Sequence, residues 1–265
     1  MADDKIAPQA WQFKNVMRVL KSYAPPAGEF NPAGAWEHSY NIYFLNIREG
    51  KGRAPTKGKG AGKANAVGLP APAGTLKVAS APKSGGIELH VESSAFMNHD
   101  VTTARILCGN DRLCAPLSWD LAFTNASAEG RQYVTFSKTG AVENGVLLKD
   151  GKPVEGMKRL ETHTCDWSLF DAVQRLGVEN FQSALACDML EYLDVLRENQ
   201  TLKFRGRTQV ECAGQSVEVR EYLQYGDAVL PTHYCLDAHN RLFMVLGSRR
   251  LFVLVNEKAE APDNE

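Results

Sequence analysis

Residues 231–242 read PTHYCLDAHNRL and hold His233, Cys235, Asp237 and His239. The His-x-Cys spacing occurs once before, in ETHTCDW (161–167), so the two pairs are His163/Cys165 and His233/Cys235. Three readings compete: a metal site shared by two strands, a cysteine nucleophile with its base, or ordinary strand residues. Positions i and i+2 of a strand face the same side, so each pair could offer both side chains to one tetrahedral metal. Structural zinc sites usually take their cysteines from closely spaced knuckles, and Cys108 and Cys114 stand too far apart for one. On one strand, His233, Cys235 and Asp237 stand parallel and do not converge on a thiol. The stretch therefore reads as a hairpin, with a strand over 229–236, a turn at Asp237–Asn240 and a strand over 241–246. His163, Cys165, His233 and Cys235 stay as secondary metal candidates, and no cofactor is expected.

Reading outward from this hairpin, TLKFRGRTQVEC, SVEVREYLQYG, RLFMVLG and RRLFVLVNE are short apolar or alternating runs separated by AG, GD, AHN and GS. Such punctuation predicts an antiparallel meander. Upstream, WEHSYNIYFLNI (36–47) is rich in aromatic and β-branched residues, and Ile87, Leu89 and Val91 alternate with Glu88, His90 and Glu92. Further strands are predicted at 102–108, 117–123, 131–137 and 145–149, with KTGAVENG read as a turn.

Three segments read as helical. WQFKNVMRVLKS (11–22) spaces Trp11, Val16, Val19 and Leu20 on one face and ends before Pro25 and Pro26. DWSLFDAVQRLG offers Asp166 or Ser168 as N-cap, an apolar stripe and Gly177 as a stop. FQSALACDMLEYLDVLRENQ (181–200) repeats Leu185, Met189, Tyr192, Leu193 and Leu196 at helical spacing, which would put Asp188, Glu191, Asp194 and Glu198 on a solvated face.

The predicted fold class is mainly β (α+β), a curved antiparallel sheet or half-barrel with a few short helices packed on it. Residues 1–35 form a lead-in or short helix, 36–255 a single β-rich domain, and 256–265 a polar tail. A basic Gly/Ala/Lys/Pro insertion over 49–74 has too little apolar surface to offset the entropy of ordering. Residues 48–83 carry eight Lys or Arg against Glu49 alone, although the whole chain has a net charge of −1. The insertion has no aromatic residue to stack on bases, so nucleic acid is not an expected partner. No run approaches the roughly 18 apolar residues of a transmembrane helix.

No G-x-S-x-G, H-E-x-x-H, Walker-type loop or dinucleotide fingerprint is present, so no catalytic residue is assigned. The segments Trp167–Leu176, Tyr222–Gly226 and Pro231–Asp237 with Arg241 and Leu242 resemble a group of exported bacterial proteins of unknown function. Their fold is similar to the open β-clam of the lipoprotein-localisation factors LolA and LolB. The resemblance spans roughly residues 85–255, and Cys235 stands where that pattern commonly has a large aromatic. It implies an exported, periplasmic or extracellular protein whose signal peptide is missing from this sequence, a cytoplasmic location being the alternative. It further implies a noncatalytic protein holding an apolar or amphipathic ligand, such as a lipid, or a partner protein in its concave face. Trp119, Trp167, Phe170, Tyr222, Tyr234 and Phe243 are the candidate residues for that face. Two alternatives remain: a hydrolase-like enzyme using His, Cys and Asp near 163–166 and 233–237, and an assembly protein docking through its basic insertion.

Overall fold

In the computed structural model, both His-x-Cys pairs lie in strands of one sheet. The structure describes residues 14–21, 23, 24, 26, 30–44, 71–96, 100–126, 132–247 and 250–255. The tail at 256–265 and most of the basic insertion lie outside the described residues. The strands are β1 (Trp36–Phe44), β2 (Gly74–Lys83), β3 (Gly86–Ala95), β4 (Asp100–Gly109), β5 (Pro116–Ala126), β6 (Gln132–Glu143), β7 (Val146–Lys149) and β8 (Lys152–Pro153). They continue with β9 (His163–Cys165), β10 (Ala184–Glu191), β11 (Val195–Cys212), β12 (Gln215–Gly226), β13 (Thr232–Leu236), β14 (Leu242–Gly247) and β15 (Arg250–Leu254). Helices α1 (Lys14–Leu20) and α2 (Leu169–Val178) complete the described elements.

The order across the sheet is β8-β7-β6-β5-β4-β3-β2-β1-β15-β14-β13-β12-β11-β10-β9. Every neighbouring pair is antiparallel except β9 with β10. The chain thus starts in the middle of the sheet at β1, meanders out to β8, and crosses through residues 154–162 to β9 at the far edge. From there it meanders back until β15 pairs with β1, Tyr40 opposite Leu254. That short crossover requires the sheet to curl until its two ends meet. They meet through side chains: His163 Nε2 donates to Pro116 O at 3.0 Å and Thr164 Oγ1 to Leu113 O at 2.8 Å. Lys138 on β6 and Lys149 on β7 both reach Asp194, in the turn between β10 and β11, at 3.0 and 2.9 Å. The result is a mainly β, half-barrel sheet, as its sequence pattern predicts, pinned shut by polar contacts in place of a continuous ladder.

Helix α2 packs inside this curve. Directly opposed residues of an antiparallel sheet share a face. Phe204, Tyr222, Tyr234, Val245, Phe252 and Ile42 therefore form one row across β11, β12, β13, β14, β15 and β1. Phe170 of α2 meets this face edge-on, with its ring centroid 5.3 Å from Tyr40, 6.4 Å from Tyr234 and 6.1 Å from Phe252. The next residues along the strands point the other way and are equally buried, with Glu221, Cys235, Met244 and Val253 in one row. Val16, Val19 and Leu20 of α1 belong to the same buried core.

Three predictions of secondary structure need correction. Residues 181–200 are not a helix: they form β10, a turn and the start of β11. Cys187, Asp188, Met189 and Leu190 are buried in succession, as a strand covered on both faces requires, and that run imitates helical spacing. The turn is hard to see in the sequence because Tyr192 (φ 51°) and Leu193 (φ 56°) occupy left-handed positions that Gly, Asn or Asp usually fill. Asp188, Glu191 and Asp194 consequently do not share a solvated helix face; they pair with Lys158, with Arg197, and with Lys138 and Lys149. The KTGAVENG segment is not all turn either, since β6 runs through to Glu143 and the reversal sits at Asn144-Gly145. Gly140 stays in the strand because the Trp119 ring lies over it, where a Cβ would come within 2.2 Å of the indole. Gly177, read as a stop, lies inside α2, where a Cβ would come within 2.5 Å of Leu236.

Candidate functional site

The curl of the sheet leaves a cavity of about 1130 Å³ beside α2. Its apolar wall comes from Leu121 and Phe123 of β5, Phe136 of β6, Phe170 of α2, Met189 of β10, Val245 of β14 and Phe252 of β15. Phe123 and Phe136 face each other across the β5–β6 ladder and stack at 5.1 Å. Phe44, Phe136, Tyr192 and Leu230 line the cavity while being 49%, 41%, 48% and 62% exposed, so they mark its mouth. Asp166, Glu191, Arg250, Gln224 and Thr232 bring polar groups to the same space. An apolar pocket with a few convergent polar groups is the usual form of a small-molecule site.

Asp166 precedes α2 and is partly buried at this cavity. Its Oδ1 accepts from Trp167 N at 3.1 Å and from Tyr192 N at 3.2 Å, bracing the left-handed turn at Tyr192-Leu193. Left-handed backbone costs roughly 1–2 kcal/mol per ordinary residue. Asp166 and the two lysines on Asp194 thus hold a strained turn at the cavity mouth. Burial, with a smaller push from Glu191 and against the two N–H donations, raises the Asp166 carboxyl to about 7. In the unfolded chain the same group ionises near its ordinary value of about 4. The unfolded state therefore releases its proton first, and Asp166 costs stability as pH rises from about 4 to about 7. Asn at this position can still accept both N–H bonds. Asp166→Asn is expected to be more stable than the parent by about 1–2 kcal/mol at about pH 8, solvent at the mouth limiting the gain, and to lose that advantage below about pH 4. Thermal melts across this range check the prediction.

Of the candidate residues from the sequence, Trp167, Phe170 and Tyr234 line the cavity. Trp119 is buried over Gly140, Tyr222 donates its hydroxyl to Phe181 O at 2.9 Å, and Phe243 stacks on Tyr23 at 5.2 Å. These three belong to the core around the site. Phe44, Phe123 and Phe136 were not singled out from the sequence. The alternation of Trp119, Leu121 and Phe123 along β5 is the signal that marks a common face there.

The two His-x-Cys pairs have separate partners. His163 bonds to Pro116 O, and Cys165 Sγ accepts from Ser168 N at 3.2 Å. His233 Nδ1 is 2.5 Å from Glu221 Oε1, and burial with the nearby Glu221 pushes the Cys235 thiol well up. Burial likewise raises the Cys165 thiol to about 12. Neither sulfur is held as a thiolate, the form in which cysteine acts as nucleophile or metal ligand. Among the described residues no three His, Cys, Asp or Glu side chains are grouped to hold a metal ion. Asp237, beside the second pair, serves its turn: Oδ1 accepts from His239 N and Arg241 N, both at 2.9 Å.

Neither a family model nor a curated protein matches this chain. Among solved structures, it is similar to a β-barrel-like protein of the domain of unknown function DUF1849 from Brucella abortus. The two share 8% identity over 83% of this chain and 95% of that one, with a TM-score of 0.42.

Proposed function

We propose that this chain is a noncatalytic binding protein that takes an apolar or amphipathic ligand, a lipid or a molecule of like chemistry, into the cavity beside α2. The observation that carries the reading is the cavity itself: about 1130 Å³, walled by Leu121, Phe123, Phe136, Phe170 and Phe252, with an apolar mouth. Asp166, Glu191 and Arg250 offer a polar end of the ligand both hydrogen-bond acceptors and a cation. A LolA/LolB-like role outside the cytoplasm belongs to the same proposal and rests on the resemblance of the segments 167–176, 222–226 and 231–242. Of the residues in the enzyme alternative, Asp166 lines the cavity, while His163, Cys165, His233 and Cys235 are buried with other partners.

The test is organic extraction of the purified protein with mass spectrometry for bound lipid, joined to titration with an environment-sensitive hydrophobic dye. A co-purifying amphiphile, or a dye displaced by long-chain fatty acid, is the expected result. Phe136 is half-exposed at the mouth, so Phe136→Asp should leave folding intact. Burying a phenyl ring is worth roughly 1.5–3 kcal/mol, so this change is expected to weaken dye binding about tenfold or more. A protein that extracts clean and binds no dye would overturn the proposal.

A further inference from the structure

We propose that the molecule held beside α2 is a long-chain carboxylate, its head over Gly247 between Arg250 and Thr232 and its chain running inward past Phe252; the inference rests on the ligand-binding reading of the cavity. The strand register arranges the inward face in two layers. Arg250, Gly247, Thr232 and Gln224 oppose one another across β15, β14, β13 and β12, and Phe44 of β1 ends this row beside Arg250. Two residues along each strand, about 7 Å away, the same face carries Phe252, Val245 and Tyr234. All of these residues line the cavity, so a polar rim stands over an aromatic and aliphatic interior. Gly247 makes a notch in the rim, because a Cβ there would come within 3.0 Å of Thr232 Oγ1. The strands on either side of the notch are about 10 Å apart, a width that suits a small planar head.

The charges at the mouth select the head. Arg250, Asp166 and Glu191 are the charged residues lining the cavity. Both acids are engaged elsewhere: Glu191 pairs with Arg197 at 2.7 Å, and Asp166 accepts the N–H groups of Trp167 and Tyr192. Arg250 forms no ion pair among the described residues, and its Nη1 donates only to Tyr192 Oη at 3.5 Å. Beside Phe136, Lys138 and Lys149 share the single carboxylate of Asp194, which leaves a second positive charge in excess at the mouth. The Asp166 carboxyl, raised to about 7 by burial, carries only part of its negative charge near pH 7. An anion therefore gains from the field here, and a cationic head is repelled. A guanidinium matches a carboxylate with two parallel N–H donations, and the Thr232 hydroxyl can supply a third donor. Glu191, close by, works against a doubly charged head.

The experiment compares amphiphiles of one chain length and different heads as competitors for the hydrophobic dye on the full chain: dodecanoate, dodecanol, dodecylammonium and dodecylphosphocholine. Dodecanoate is expected to bind roughly tenfold or more tighter than dodecanol, the worth of charge-assisted hydrogen bonds to a partly exposed cation, with dodecylammonium weakest. In Arg250→Gln the ratio of dodecanoate to dodecanol affinity should fall to near one, whereas Arg250→Lys, which keeps the charge without the fork, should retain part of it. Arg250 is exposed, and a ratio of affinities does not depend on how much of a variant is folded. Equal binding of dodecanoate and dodecanol, equal binding of dodecanoate and dodecylphosphocholine, or a ratio unchanged in Arg250→Gln would each overturn the carboxylate head while leaving the apolar cavity as a binding site. Failure of every amphiphile to displace the dye would overturn the cavity reading and this inference together.

Discussion

Phe170→Ala is expected to lower the free energy of urea unfolding by about 3–5 kcal/mol. Phe170 is 4% exposed and is the point at which α2 meets the sheet, its ring edge-on to Tyr40 of β1, Tyr234 of β13 and Phe252 of β15. Truncation removes the transfer free energy of the ring and leaves a void that the surrounding aromatic side chains cannot fill without leaving their rotamers. The void also merges with the existing cavity, whose walls are already held apart by the curl of the sheet. Phe170→Leu, which keeps most of the volume, should cost much less, about 1–2 kcal/mol. The measurement is the urea midpoint with an unchanged slope. A midpoint for Phe170→Ala equal to that of the parent would mean that α2 does not depend on this contact, and the packing described for the half-barrel would be wrong. Dye binding should survive the change, since the cavity grows; loss of dye binding without loss of stability would make Phe170 a ligand contact first.

How much of this was legible in the sequence depends on how local its cause is. The hairpin at 231–242 could be read because Asp237 supplies its own turn bonds and the apolar residues alternate around it. The reversals at Asn144-Gly145 and Ala213-Gly214 carry glycine at a left-handed position, and the sequence marks them. At Tyr192-Leu193 the same backbone is imposed on residues that resist it, sustained by Asp166 and by Lys138 and Lys149 on Asp194, which lie far away in the sequence. A local reading had no access to those supports, and the doubly buried strand before them looked helical. The site divides in the same way. Trp167, Phe170 and Tyr234 could be picked out as apolar residues on a helix or strand. Asp166 reads as a helix cap until the fold brings Glu191 and the cavity against it. Closure of the sheet by His163 and the two lysines is a property of its topology, and no spacing in the chain announces it.

His233→Ala is expected to cost about 3–5 kcal/mol, because it strands a carboxylate in the core. Glu221 is fully buried, and Oε1 has His233 Nδ1 at 2.5 Å, whereas no hydrogen-bond partner is assigned to Oε2. Around the pair, Leu223, Cys235, Met244, Val253 and Leu246 form an apolar field on the face away from α2. Charges in such surroundings gain from each other but lose their hydration, and the balance is often close to zero relative to apolar residues of similar volume. The asymmetry is the test. Removing His233 alone leaves Glu221 with the full desolvation penalty; replacing both, as His233→Leu with Glu221→Met, removes the penalty together with the attraction. The double variant is therefore expected within about 1 kcal/mol of the parent, and well above His233→Ala, in urea unfolding. If the double variant is as unstable as the single one, the pair is held by more than its own charge and earns its place by fixing the register of β12 against β13. If His233→Ala unfolds like the parent, Glu221 is not charged in the folded protein. The two changes sit outside the cavity beside α2, so ligand binding by the folded variants should match that of the parent.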